Sequence, residues 1–463
     1  MKHYGNRVED IKIAYIGGGS KGWAWTLMSD LGQAEDICGE VALYDIDFEA
    51  AKRNETIGNK TREADGCKSA WNYKAVKTIG EALTGADFVI ISIMPATLDE
   101  MSSDVHTPEK YGIYQSVGDT SGPGGIIRAL RTIPMIEEIA NAVKEYCPDA
   151  WVINYTNPMT ICMNTLFRTY PKIKAFGCCH EVFGTQKLLA AAVKEYTDFK
   201  DVQRHDINVN VIGVNHFTWI TKAQYKNIDI FPLYNKLADE YKEIGYIKGN
   251  DDNWLNSVFQ SKQMVKFDLF KRFGYIAAAG DRHLAEFCPR QWYLDNPETV
   301  EKWGFALTSV DFRRILYKDK LERSDRLISG EEKFEFADTG EEGINQIRAL
   351  LGLDTLVTNV NIQNKGQIPN LPLGAVVETN ATFTADAVTP VMAGEIPENI
   401  YPLISRICGE QQQITDAGIN RDLEKAFMAF YNDPLVSLPY DDAKALFDEM
   451  IENTKEYLRD YFN

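Results

Sequence analysis

The sequence predicts an α/β protein, with an N-terminal doubly wound parallel sheet over residues 1–184 and a C-terminal mixed α+β domain over residues 185–463. Three observations carry this. From residue 11 to about residue 174, short β-rich apolar runs alternate with helix-length amphipathic stretches, the pattern of a parallel sheet covered by helices. The first of those runs ends directly in the glycine turn Gly17-Gly18-Gly19. After Thr185 the rhythm changes, with strand-like runs at 207–213 and 217–222 giving way to long helical patterns.

Strands are expected at residues 11–16, 41–44, 88–93, 151–154 and 173–176, each a short apolar run of the kind that a sheet buried on both faces requires. Amphipathic helices fit between them, for instance at 48–63 and 126–146. In the second half, 253–273 and 297–317 read as helices and 356–360 and 375–383 as further strands. Roughly the last hundred residues read as mainly helical. No internal repeat, low-complexity tract or flexible linker interrupts the pattern, so the two domains are expected to pack tightly.

Composition narrows the function. With 463 residues, 44% of them hydrophobic and 25% charged, the chain can bury a sizeable core. A formal net charge of -18 and the lack of any Lys/Arg run argue against phosphate-backbone binding and point to a small-molecule partner. The start lacks the features of a signal peptide and no apolar run approaches bilayer-spanning length. A cytoplasmic protein with neither nucleic-acid nor membrane partner is therefore expected. The cysteines, Cys38, Cys67, Cys147, Cys162, Cys178, Cys179, Cys288 and Cys408, are too scattered for a disulfide framework, and most are expected to be reduced core residues. The pair Cys178-Cys179, directly before His180, is the exception.

The strand, glycine turn and helical pattern running through Gly17-Gly18-Gly19-Ser20 is what a dinucleotide site needs. Glycines let the backbone turn sharply and approach a pyrophosphate, whose charge the free N–H groups at the helix start stabilise. The third glycine of the G-x-G-x-x-G pattern is missing, which leaves the close-packing position to Gly22 or Ala24. The second strand leads into Asp45, placed to hydrogen-bond the adenosine ribose and to repel a 2′-phosphate, so NAD is favoured over NADP. The plainer alternative makes residues 17–19 a tight turn and Asp45 a helix cap. With a nicotinamide cofactor, the N-terminal sheet becomes Rossmann-like and the whole architecture lactate/malate dehydrogenase-like.

Three further segments sit at expected strand ends, where an open α/β sheet binds its ligands. They are Asn157-Pro158, Cys178-Cys179-His180 and Asn215-His216. The Asn-Pro is shared with malate and lactate dehydrogenases and is not diagnostic. A thiolate from Cys179 and an imidazole from His216 would make a compact site for a borderline divalent metal, leaving positions open for substrate oxygens.

Taken in order, residues 17–20, Asp45-Ile46-Asp47, the segment opened by Gly122-Pro123-Gly124-Gly125, then Asn157-Pro158, Cys179-His180 and Asn215-His216 resemble the family 4 glycoside hydrolases over essentially the whole chain. Residues 177–187, 213–221 and 280–287 look most like the bacterial α-galacturonidase branch. The resemblance implies an NAD- and divalent-metal-dependent glycosidase, one of the exceptions to two-carboxylate glycoside hydrolysis. In such enzymes NAD takes hydride from the sugar C3, a base removes the acidified C2 proton and the glycosidic oxygen leaves C1. Water then adds and the hydride is returned. By the same resemblance Cys179 and His216 ligate the metal, usually Mn2+, whose Lewis acidity stabilises the developing enolate. Asn157 contacts the substrate, Asp281 is the C2 base, and the chain forms a homodimer or homotetramer.

Alternatives stay open at several positions. Asp281 also fits a loop aspartate paired with Arg282 or a helix cap before Leu284. His180 either assists departure of the C1 oxygen or orients Cys179 or a substrate hydroxyl, and Asp119 either binds sugar hydroxyls or stabilises its own turn. A uronate carboxylate needs a cation, ideally a bidentate arginine, and Arg128, Arg131, Arg282 and Arg290 are candidates, with Arg128 alternatively facing the cofactor. Two rival functions share the same N-terminal half: an NAD-dependent hydroxy-acid or sugar dehydrogenase that releases NADH, and a nucleotide sensor without catalysis.

Overall fold

The computed structural model describes residues 1–247, 261–337 and 339–462. In chain order its strands are β1 (Lys2–Tyr4), β2 (Arg7–Ile16), β3 (Ile37–Tyr44), β4 (Asn72–Val76), β5 (Phe88–Ile91), β6 (Trp151–Asn154), β7 (Lys174–Gly177), β8 (Asn208–Val214), β9 (Phe217–Tyr225), β10 (Ile228–Asp229), β11 (Ile276–Ala277), β12 (Leu356–Gln363), β13 (Val376–Thr384) and β14 (Ala387–Pro390). Strands and helices alternate through the first half, and β4, β3, β2, β5, β6 and β7 lie side by side, all parallel. The order reverses between β2 and β5, so the carboxyl ends of these two strands open a crevice. This is the doubly wound α/β class that the sequence predicts. β4 was not foreseen, because as an edge strand it alternates exposed and buried residues and offers no continuous apolar run.

Alternate residues of the central strands feed opposite layers. Ile13, Tyr15, Val41 and Leu43 pack with Trp25 and Ile57, whereas Ala14, Ile16 and Ala42 pack with Val143 and Leu166. Helix starts are fixed by short polar side chains: Asp47 accepts from the Ala50 N–H, and Thr78 and Thr97 form capping boxes with Glu81 and Glu100. No helix among the described residues is long and apolar enough to cross a membrane, and all eight cysteines are free thiols.

The second half adds to the same sheet. β12 runs antiparallel to β7, with Asn361 opposite Gly177, and β13 and β14 follow it outward. β8 to β11 form a separate antiparallel sheet around β9. The helix expected at 253–273 lies partly outside the described residues, and its described end is Met264–Phe273. The helix expected at 297–317 is two helices, Pro297–Lys302 and Val310–Ser329, because the chain turns at Gly304 with a left-handed φ of 69°.

Two buried polar contacts steady the helices behind the crevice. Arg131 and Asp104 form a bidentate pair with both side chains wholly buried, and Arg131 Nε also donates to the Pro95 carbonyl. At the start of the helix Gly122–Tyr146, Asp433 accepts from Gly122 N at 3.0 Å and Leu435 N at 2.7 Å. Burial, then the negative charge of Asp433, keeps the Glu410 carboxyl protonated, and it donates to Asp433. Burial also pushes Asp433 up to about 6.

Replacing Asp104 by Asn leaves a buried guanidinium without its counter-charge, and the expected loss of about 3–5 kcal/mol should appear as a lower urea midpoint. For Glu410 and Asp433, folded values above unfolded ones mean stabilisation that is full below the ordinary carboxyl range and lost as pH rises through the folded values. Glu410→Gln supplies a permanent donor, so its Tm relative to wild type should climb in calorimetry as pH rises above the ordinary carboxyl range.

Candidate active site

The crevice is floored by glycine. Gly17 takes a φ of 96°, and a Cβ there would lie 2.0 Å from the Ser92 carbonyl oxygen just beyond β5. At Gly18 and Gly19 a Cβ would strike Leu43 at 2.8 Å and the Ala50 Cβ at 2.6 Å, with the Asp45 carboxylate at 2.9 Å. Asp45 accepts from Gly19 N at 2.8 Å and Asp47 N at 2.9 Å; the helix cap is Asp47, not Asp45. Ser20 follows, half-buried, its carbonyl held by Asn54 Nδ2. Ala24, 1% exposed, fills the close-packing position, whereas Gly22 lies under the Lys320 ammonium. A loop this free of side chains at a strand-to-helix turn fits a dinucleotide diphosphate.

Next to it, β7 ends at Gly177 and the chain passes through Cys178, Cys179 and His180 into the helix Glu181–Tyr196. β8 and β9 are joined by Asn215 and His216 alone, since Val214 pairs with Phe217. His216 takes a φ of 62°, which a non-glycine residue adopts where its surroundings hold it. The holding contacts come from the end of the chain: Asn215 Nδ2 donates to Glu378 Oε2 at 3.1 Å, and Asn359 Nδ2 to Glu378 Oε1 at 2.7 Å. The Cys179 thiol hydrogen-bonds Asn215, and its carbonyl accepts from Asn359 Nδ2. The strand end carrying Cys179 and the hairpin tip carrying His216 thus meet at one buried hub.

On its other side His216 lies against His283, ring centroids 3.9 Å apart, and its Nδ1 is 3.1 Å from Thr120 Oγ1. Thr120 donates to Asp119 Oδ1 at 2.8 Å. The loop bearing Asp119 is pinned by the helix Asp281–Glu286: Glu286 accepts from Val117 N and Gly118 N at 2.7 and 2.9 Å, and Ser116 Oγ donates to the Arg282 carbonyl at 2.6 Å. Glu181 closes the cluster, accepting from Gly280 N at 2.6 Å and standing 3.7 Å from His283 Nε2 and 4.0 Å from His180 Nε2. His180 Nδ1 pairs with Glu341 at 3.0 Å. Glu181, His283, Glu286, Glu341 and Glu378 escaped the sequence reading; the first three had only their place beside named motifs to mark them.

Electrostatics gives each group a definite form. Burial, reinforced by the Glu378 and Glu181 carboxylates, holds the Cys179 thiol well above its ordinary range. Burial lowers His216 to about 3, so its imidazole is neutral. His180 goes the other way: burial would depress it, but Glu341 and then Glu181 outweigh that and raise it to about 9. Burial also opposes ionisation of Asp119, yet Arg128 and Arg313 bring it down to about 2. A soft thiol and a neutral imidazole among carboxylates suit a divalent cation, which would exchange places with the thiol proton. Among the described residues no three His, Cys, Asp or Glu side chains converge as a metal cage.

Asp281 corrects one alternative left open for it, the cap before Leu284. Its side chain is completely buried, and its carboxyl accepts from Lys266 N at 3.2 Å and from the N–H groups of Met264 and Val265. It therefore caps the helix Met264–Phe273 rather than the one containing Leu284, and burial raises it to about 6. Among the arginines, Arg131 is committed to Asp104 and Arg290 donates to the Gly112 carbonyl. Arg128 donates from Nε to the carbonyl of Asn157, which is itself half-buried at the crevice end of β6.

Comparison with known proteins gives the family. Residues 12–195 match the signature of the family 4 glycosyl hydrolases and residues 211–436 that of the family's C-terminal domain. The chain is 58% identical to an alpha-galacturonidase of Thermoanaerobacterium saccharolyticum (strain DSM 8691 / JW/SL-YS485), over 99% of this chain and 98% of that protein. It is 52% identical to an alpha-galacturonidase of Bacillus subtilis (strain 168), over 96% and 98%. A solved Bacillus subtilis structure described as a glucosidase superposes with a TM-score of 0.91 at 51% identity, covering 96% of this chain and 100% of that one. The 6-phospho-beta glucosidase of Thermotoga maritima, solved with manganese, NAD+ and glucose-6-phosphate, shares the fold at 22% identity, with a TM-score of 0.74 over 96% and 99%. The chain belongs to glycoside hydrolase family 4 and is a glycosidase.

Proposed function

We propose that the protein is an NAD- and Mn2+-dependent α-galacturonidase. The observation that carries the reading is the hub at which Cys179 and the His216 hairpin meet beside the glycine-floored crevice, in a chain more than half identical to alpha-galacturonidases. When bound, the dinucleotide would supply a reversible hydride acceptor and the ion a Lewis acid for sugar oxygens. Residues 17–20 and Asp45 would hold the first, Cys179 and His216 the second. Asn157 and Asp119 would bind sugar hydroxyls.

The remaining residues divide the proton work. His180, cationic beside Glu341, would protonate the departing C1 oxygen. For the C2 base His283 stands beside Asp281 as a candidate: it faces His216, and its Nδ1, like Asp281 Oδ2, is shielded without a partner among the described residues. Thr120 sets the tautomer of His216. Its one hydroxyl proton goes to Asp119, so its oxygen accepts from His216 Nδ1–H and leaves the Nε2 lone pair for the ion. The reading includes a cytoplasmic homodimer or homotetramer.

Cleavage of p-nitrophenyl α-galacturonide is expected to stop when either NAD or the metal is removed and to return when both are restored. NADH released in proportion to substrate would instead identify a dehydrogenase. Thr120→Val should weaken Mn2+ binding by about 10- to 100-fold in calorimetry while Thr120→Ser retains it. Asp281→Asn is expected to lower Tm, and solvent deuterium entering the product at C2 separates the two candidates: loss of that label in Asp281→Asn, with His283→Ala keeping it, would assign the base to Asp281, and the reverse to His283.

A further inference from the structure

Glu181 and Glu378 act on the Cys179 thiol, and the guanidinium groups of Arg128 and Arg313 act on the Asp119 carboxylate, while Arg282 feels Glu286, Glu181 and Asp119 together. Glu286 is held towards its neutral form by burial and rises to about 7. Arg128 and Arg313 form no ion pair among the described residues, and a guanidinium in a water-poor cleft is costly unless an anion meets it.

The arginines are not equally available. Arg282 is anchored to the carbonyls of Ser116 and Ala306 and to Thr308 Oγ1, which makes it part of the scaffold under the Asp119 loop. Arg128 spends its Nε on Asn157. Arg313 spends one nitrogen, Nη2, on a long contact of 3.3 Å to the Val117 carbonyl, and its Nε is shielded with no partner among the described residues.

Arg313 is also rigidly mounted. Its helix, Val310–Ser329, is fastened at the start by Val310, which packs on Met101 and Val105 and donates its N–H to His106 Nε2 at 3.1 Å. It is fastened at the end by Ser324, which accepts from Arg53 Nη2 at 2.9 Å, and by Leu327 in the core. Arg313 and Lys320 are two turns apart on the face that carries these anchors. Lys320 reaches Gly22, so that face runs along the crevice from the glycine loop to Asp119.

We propose that Arg313, with Arg128 beside it, receives the C6 carboxylate of the sugar and so selects a uronide over the neutral sugar that differs only at C6. The assignment rests on the uronidase reading. It fits the charge distribution, because an added carboxylate would meet the guanidinium groups of Arg128 and Arg313, which form no ion pair among the described residues. It also fits the chemistry, because a guanidinium offers a carboxylate two parallel N–H donors that a hydroxymethyl group cannot use.

The test compares kcat/KM for p-nitrophenyl α-galacturonide and p-nitrophenyl α-galactoside with the full-length protein supplied with NAD and Mn2+. In Arg313→Gln the galacturonide-to-galactoside ratio is expected to fall about a hundredfold, chiefly through KM for the galacturonide. Arg313→Lys, which keeps the charge but not the paired donors, should fall about tenfold and carries the same test if the Gln variant does not fold. An unchanged ratio in a variant that still binds NAD, followed by tryptophan fluorescence, overturns the assignment and leaves the uronidase reading standing. Wild-type protein that prefers the galactoside overturns both.

Discussion

Glu378 is the contact on which the site depends. It is wholly buried, burial pushes its carboxyl up to about 7, and its two oxygens are met by amides from Asn215 and Asn359. A buried carboxyl left unbonded costs about 1–3 kcal/mol or more, so the hairpin tip cannot drift from the sheet without exposing that penalty. Because Cys179 touches the same Asn215, one hydrogen-bonded hub sets the separation of a thiol and an imidazole that lie far apart in the chain. The left-handed backbone at His216 is then a strain paid for by the surrounding contacts.

Around this hub the fold assigns charge by element. The helix beginning at Glu181 and strand β13 contribute carboxylates, while the helices Gly122–Tyr146 and Val310–Ser329 contribute guanidinium groups. The net charge of -18 therefore says little about the pocket, since distant surface charges are screened within about 10 Å at ordinary ionic strength. A local arrangement of a few buried groups decides what the cleft attracts. The same buried groups also hold the loop: Glu286, with its carboxyl on two backbone N–H groups, keeps Asp119 and Thr120 facing His216.

What the sequence revealed follows from how local each feature is. The glycine loop, the acid after β3, the Asn-Pro after β6 and the Cys-His after β7 sit at the ends of apolar runs, and such runs are visible because both faces of a central strand are buried. β4 stayed hidden because an edge strand is half polar, and the break at Gly304 because one glycine within a helical pattern carries no signal of the φ it will take. The cap that Asp281 makes stayed hidden for a different reason. Its motif is legible, but the helix it caps begins at Met264, and only the folded chain shows which way the carboxyl turns. Glu378 and Arg313 were missed because a buried acid in a strand and a cation on a long polar helix look ordinary until their neighbours, more than a hundred residues away, are known.

The antiparallel docking of β12 on β7 makes the nucleotide half a borrower. Without β12 to β14, β7 would be a bare sheet edge, with unpaired backbone groups inviting association with other chains. The two family signatures divide between residues 195 and 211, yet a protease nick there would not separate the pieces, because the sheet is stitched across the cut. Such a chain would travel as one particle, and the amino-terminal fragment made alone would be short of the strands that finish it.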